Sequence, residues 1–167
     1  MNLILCGMMG AGKTTVAKAL AKLTGYQSYD TDAEIVKKHG NISDIFARFG
    51  EEYFRDLETQ IVKELVNEQN AIISVGGGLV LRQENVEILK KTGKIVYLRA
   101  SLDTLTKRLQ GDTARPLLQD EKESLQSKLT RLLHARGDIY EKAADLVLDV
   151  DDKTPQEIAR QLLEKLD

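Results

Sequence analysis

The residues Gly7-Met8-Met9-Gly10-Ala11-Gly12-Lys13-Thr14 fit the pattern G-x-x-x-x-G-K-[ST]. The chemistry that this spacing allows is the holding of a nucleoside triphosphate. Glycines at 7, 10 and 12 let the backbone approach closely, so successive N–H groups can turn inward around phosphate oxygens. Gly10, Ala11, Gly12, Lys13, Thr14 and Thr15 are the expected nucleotide contacts. Lys13 would reach the β and γ phosphates, and the Thr14 hydroxyl would ligate an accompanying Mg2+.

Three further groups carry chemistry. Asp30-Thr31-Asp32 follows Tyr26-Gln27-Ser28-Tyr29, which reads as a short strand, and ligand groups of an open parallel sheet gather at such strand ends; two carboxylates spaced by two on an extended chain look into one cleft. The plainer reading is that Asp32 only caps the helix after it. Arg55 and Glu58 are three apart, which on a helix makes them a surface pair worth under about 0.5 kcal/mol. Gly76-Gly77-Gly78 at a strand end is either a wall that a ligand approaches closely or a sharp turn. His39 and His134 have no ligand-spaced neighbours, so a zinc site held by protein is not expected.

The elements that must position these residues alternate. Leu3 to Cys6 is a buried strand before the loop, and Val16, Ala19, Leu20 and Leu23 recur at helical spacing after it. A strand over 26–29, a helix over 33–39 and a short helix capped by Ser43 follow. A longer helix from about 51 to 68 carries Phe54, Leu57, Ile61 and Leu65 on one face. Strands over 71–75 and 94–98 flank a helix near 83–91, and Ser101 caps a helix with Leu102, Leu105 and Leu109. Residues 111–123 lose periodicity and are the expected lid. Ser124 opens a helix bearing Arg131 and Arg136, a strand runs over 146–148, and Thr154-Pro155-Gln156-Glu157 reads as a capping box. Five strands alternating with helices make a doubly wound α/β domain with a five-stranded parallel sheet and helices on both faces.

The length of 167 residues suits one domain, 1–167, with substrate-binding helices over about 32–60. Lys and Arg total 24 against 26 Asp and Glu, for a net charge of -2, so no general attraction to nucleic acid or anionic lipid is expected. No apolar run is long enough to span a bilayer and no signal segment is visible. A cytoplasmic monomer is expected. The single Cys6 cannot form an internal disulfide and reads as buried packing.

A GTPase would carry D-x-x-G and N-K-x-D motifs, and a motor ATPase an aspartate where the third strand instead meets glycines. What remains is the layout of a small-molecule kinase. The loop, Asp30-Thr31-Asp32, Phe54-Arg55 with Glu58, Gly76-Gly77-Gly78, Arg115-Pro116-Leu117-Leu118 and Arg136 ahead of Tyr140 together resemble the shikimate kinase family in order and spacing, over nearly the whole chain. The loop alone is widely shared, whereas the combination is specific.

The resemblance implies transfer of the γ-phosphoryl group of ATP to the 3-hydroxyl of shikimate in aromatic amino acid (chorismate) biosynthesis, with ATP and Mg2+ as cofactors. It implies that Arg55 and Arg136 hold the shikimate carboxylate, that Glu58 fixes Arg55, and that Asp32 orients or deprotonates the nucleophile. Gly76, Gly77 and Gly78 would line the substrate, Gly77 through its N–H. Catalysis would rest on Lys13, Asp32 and the lid residue Arg115. Arg108 and the turn at Pro155 would enclose the adenine, and Thr14 and Asp30 would serve the metal. The chain departs from the family pattern at Asp138-Ile139, where Pro-Leu is usual, which leaves open where the helix bearing Arg136 ends. Asp112 replaces a common asparagine. The alternatives are a gluconate or nucleoside monophosphate kinase of the same fold, or a nucleotide-binding regulatory module without catalysis.

Overall fold

The computed structural model describes residues 1–110 and 124–166; the expected lid, with Arg115 and Asp112, lies outside the described residues. Five strands form one parallel sheet: β1 (Asn2–Cys6), β2 (Gln27–Asp30), β3 (Ala71–Ser74), β4 (Gly93–Arg99) and β5 (Leu146–Asp149), in the order β2-β3-β1-β4-β5. The register pairs Leu3 with Ile72 and Lys94 across the central strand, and Asp30 with Ser74 at the edge. From β1 the chain builds first toward β2 and β3, then returns to build β4 and β5 on the other side. The reversal leaves a crevice at the carboxyl end of β1, where the phosphate loop begins.

The helices are α1 (Lys13–Thr24), α2 (Thr31–His39), α3 (Ile42–Phe49), α4 (Glu51–Leu65), α5 (Gln83–Lys90), α6 (Leu102–Leu109), α7 (Leu125–Ala143) and α8 (Pro155–Leu166). A 3-10 turn, Leu79–Leu81, follows the glycine run and was not anticipated. Helix α1 packs against α8 and β3, while α5 and α7 pack against β4. The α4 residues Phe54, Leu57, Ile61 and Leu65 are all buried, as their spacing requires. Cys6 is wholly buried in β1, and desolvation pushes its thiol up to about 12, so it is inert packing.

Local chemistry sets the ends of these elements, and it corrects three expectations. Asp30 rather than Asp32 caps α2: its extended backbone continues β2 opposite Ser74, and its carboxylate accepts from Ala33 N–H at 3.1 Å. Asp32 therefore sits in the first turn of α2 and not on an extended chain. Asn41, not Ser43, caps α3, accepting from Asp44 N–H at 3.2 Å, which turns Ile45 inward. Helix α4 stops at Leu65 and not near Glu68, because Asn67 and Glu68 N–H bond back three residues, to Glu64 and Leu65, and tighten the last turn. The other caps are as read: Ser101 on α6, Ser124 on α7, and Thr154 accepting from Glu157 N–H at 3.1 Å at the start of α8. Among the described residues no helix is long and apolar enough to cross a membrane.

Helix α1 carries the loop and is anchored by Leu20, which is wholly buried. Leu20→Ala should cost about 2–5 kcal/mol of stability through lost burial and a residual cavity, read as a lower urea midpoint at unchanged m-value.

Candidate active site

The chain turns into the loop immediately after β1. Gly10 and Gly12 take φ of 86° and 91°, and Gly12 caps α1 in the left-handed region. The positive φ is what calls for glycine at position 12; a Cβ there would also lie 2.9 Å from Arg108 Nη1, the far end of a flexible side chain that would have to shift. Lys13 Nζ donates to Gly7 O at 2.7 Å and to Met8 O at 3.1 Å, which lays the ammonium across the loop. Arg108 reaches over from α6 and donates to Gly10 O at 3.3 Å. The Thr15 hydroxyl donates to Gly12 O at 2.9 Å, and the Thr14 hydroxyl donates to Asp30 Oδ2 at 3.0 Å. Ala11 is buried and its N–H already donates to Met8 O at 3.1 Å, within the loop's own turn.

Around this loop lies a cleft of about 610 Å³. It brings together the expected Gly10, Gly12, Lys13, Thr14 and Thr15 with Asp30, Asp32, Gly76 and Gly77. Arg108 and Pro155 line it as well, with Leu109 and Ile158 as apolar lining residues that the sequence reading did not assign to the site.

A second cluster forms where the glycine run meets α2, α4 and α7. A Cβ on Gly76 would lie 2.8 Å from Asp32 Oδ1 and 3.0 Å from Glu58 Oε2. On Gly77 it would meet Arg136 Nη1 at 3.4 Å, and on Gly78 it would fall inside the Arg55 guanidinium. None of the three has positive φ, so these glycines serve space and not turn geometry. The run is a wall for four charged side chains.

Arg55 and Glu58 are not the solvated surface pair that their spacing suggests. Glu58 is 1 % exposed and Arg55 11 %, with Nη1 donating to Glu58 Oε1 at 2.8 Å and Nη2 to Glu51 at 3.0 Å. Burial pushes the Glu58 carboxyl up to about 7, with Arg55 pulling it down, Asp32 raising it and Arg136 lowering it. Its Oε2 has no hydrogen-bond partner. Arg136 is buried, yet among the described residues it forms no ion pair. Tyr140, one turn further along α7, donates from its hydroxyl to Gly77 O at 2.5 Å. The sequence analysis used Tyr140 only as a spacing mark, although four residues from Arg136 is the distance that puts both on one helix face.

The expected departure at Asp138-Ile139 does not end the helix: α7 runs unbroken from Leu125 to Ala143, with Arg136 and Tyr140 both buried on its inner face. Proline is absent there, so nothing interrupts the backbone ladder.

The Shikimate kinase family profile matches residues 9–167 of this chain. The chain belongs to the shikimate kinase family. A shikimate kinase of Thermodesulfovibrio yellowstonii is 42% identical over 165 residues, covering 98% of this chain and 94% of that protein. One of Nitrosospira multiformis is 42% identical over 99% of this chain and 84% of its own length. Among solved structures, a shikimate kinase from Acinetobacter baumannii in complex with shikimate superposes with a TM-score of 0.94 at 36% identity, over 99% of this chain and 92% of that one. The Bacteroides thetaiotaomicron shikimate kinase gives 0.90 at 32%, over 99% and 98%. The five-stranded parallel α/β architecture is thus that of shikimate kinases.

A carboxyl whose folded pKa is raised above its unfolded value binds more protons when folded, so it stabilises below the unfolded value and loses that contribution as pH rises through the folded one. For Glu58 the window runs from about 4.5 to about 7. Wild-type stability should fall across it relative to Glu58→Gln, as measured by urea midpoints between pH 4.5 and 8. Parallel pH profiles for the two proteins would refute the assignment.

Proposed function

We propose that this chain is an ATP-dependent shikimate kinase, transferring the γ-phosphoryl group to the 3-hydroxyl of shikimate to give shikimate 3-phosphate and ADP. The observation that carries the substrate side is Arg136: a buried guanidinium that forms no ion pair among the described residues, beside Gly77 and close enough to the Arg55 cluster to act on Glu58. A buried charge needs a counter-charge, and a planar guanidinium matches a carboxylate bidentately. Shikimate offers one carboxylate and three hydroxyls.

Phosphoryl transfer is largely positioning and charge stabilisation. Lys13 keeps a positive charge at the loop mouth, the loop amides cradle phosphate oxygens, and Arg108 and Pro155 bound the adenine end. Asp32 accepts the proton or the hydrogen bond of the attacking hydroxyl, close to Gly76 and across from Lys13. Arg115 supplies lid charge. The Thr14 hydroxyl and the Asp30 carboxylate, 3.0 Å apart, are hard oxygen donors of the type Mg2+ takes, with water and phosphate filling its other positions. Mg2+ would be held at this pair together with the nucleotide it accompanies. When bound it neutralises charge on the β and γ oxygens. The chain acts as a monomer in the cytoplasm.

Two measurements test this reading. Lys13→Met should abolish shikimate-dependent ADP release in a coupled assay while leaving the fold intact by circular dichroism; near wild-type turnover would sink the loop's role. Arg136→Ala should weaken shikimate binding by about 2 to 5 kcal/mol, roughly thirtyfold to several thousandfold, with ATP affinity little altered. Replacing the substrate carboxylate by an amide should cost wild type a similar amount, and the two losses should not add. A mutant that discriminates acid from amide as strongly as wild type would show that Arg136 holds something else.

A further inference from the structure

Thr31 and Tyr140 have no part in the chemistry above, yet both are wholly buried and each puts its hydroxyl on the backbone of the glycine run. Gly76 N–H donates to Thr31 Oγ1 at 2.9 Å, and the Tyr140 hydroxyl donates to Gly77 O at 2.5 Å. Between these two bonds, Leu79 N–H donates to Gly76 O at 3.1 Å. A trans peptide holds its C=O and the following N–H antiparallel in one plane, so a bond on the oxygen also aims the N–H. The Leu79 bond therefore aims Gly77 N–H, and the Tyr140 bond aims Gly78 N–H. Neither of those N–H groups donates to a partner among the described residues.

The two hydroxyls come from opposite sides of the site. Thr31 stands between the two carboxylates of the Asp30-Thr31-Asp32 turn, so its bond ties the register of Asp32 to the wall. Tyr140 and Arg136 both face Gly77, where a Cβ would lie 3.4 Å from Arg136 Nη1 and 3.6 Å from the Tyr140 oxygen, and the guanidinium interacts with the phenol. Its ring is fixed against Tyr97, centroids 5.1 Å apart, so the hydroxyl cannot swing away without disturbing the core. Burial pushes the phenol up to about 12, with Arg136 beside it pulling the other way, which keeps it a donor at neutral pH.

We propose that Thr31 and Tyr140 are positioning residues for substrate recognition: their hydroxyls clamp a side-chain-free backbone segment from both ends, so that Gly77 and Gly78 N–H stand as preformed donors in fixed relation to Asp32 and Arg136. Three consecutive glycines are the most conformationally free segment a chain can have. Without the clamp, the donors would have to be ordered on each binding event, which lowers affinity without new contacts. The inference rests on the shikimate kinase reading, since it takes a hydroxylated carboxylate substrate as the ligand.

Tyr140→Phe keeps the ring and removes the hydroxyl. Shikimate KM should rise about tenfold, the size of one lost buried hydrogen bond, with kcat within about threefold and ATP KM unchanged. A role in packing alone would lower the urea midpoint and leave shikimate KM where it was; a folded variant with KM within about twofold of wild type overturns the proposal. Should Tyr140→Phe fail to fold, Thr31→Val carries the same expectation from the other end, and Thr31→Ser, which restores a hydroxyl, should recover most of the loss. Amide NMR of the ligand-free protein separates this idea from the functional reading. Gly77 and Gly78 resonances should broaden or double in Tyr140→Phe relative to wild type, and unchanged sharp resonances refute the clamp even if wild type does not phosphorylate shikimate. Wild type with no shikimate-dependent ADP release refutes the functional reading by itself.

Discussion

Four ionic groups share the space left by three absent side chains. Asp32, Arg55, Glu58 and Arg136 converge on Gly76, Gly77 and Gly78, and an added methyl group would displace Asp32, press on Arg136 or enter the Arg55 guanidinium. Burying that much charge is costly unless each group is compensated. Arg55 is compensated by Glu58 and Glu51, Glu58 by half of its carboxylate only, and Arg136 by no ion pair among the described residues. The cation left without an ion pair among the described residues is Arg136, whose counter-charge under the proposed function is the substrate carboxylate. Stability and recognition therefore make opposing demands on one small volume, and the rest of the fold has to hold it together.

The sheet order does that. With β1 central and its neighbours built on either side, the loop at its carboxyl end faces the glycine run at the end of β3, its direct partner in the register. Tyr140 adds a side-chain link, its hydroxyl bonding Gly77 O and reaching Met8 Sδ of the loop, but the two halves of the site are adjacent first of all because two strands are hydrogen-bonded. Lys13 and Asp32 line one cleft for the same reason.

Local signals carried the elements well. The caps Ser101, Ser124 and Thr154, the apolar stripe of α4 and the glycine-rich loop each state their own geometry within a few residues. Where two capping residues competed, as Asn41 with Ser43 and Asp30 with Asp32, the choice lay with tertiary packing: Ile45 had to point inward, and β2 had to reach Ser74. Depth was the property least legible. A spacing of three says that Arg55 and Glu58 touch, but not that distant segments cover them, and so a surface pair and a buried one look alike in the chain. The order of the strands and the reach of Tyr140 to Gly77, 63 residues away, are long-range facts of the same kind.

The wholly buried Cys6, its thiol held near 12, has a practical side. As the only cysteine of the chain and one that thiol reagents reach slowly, it leaves the protein ready for single-site labelling without removing a native residue. A cysteine placed at exposed Phe49, the last residue of α3, and another on the surface of α8, which packs against the loop helix, would be the only reactive thiols. A dye pair there would report the distance between α3 and α8 as ATP or shikimate is added.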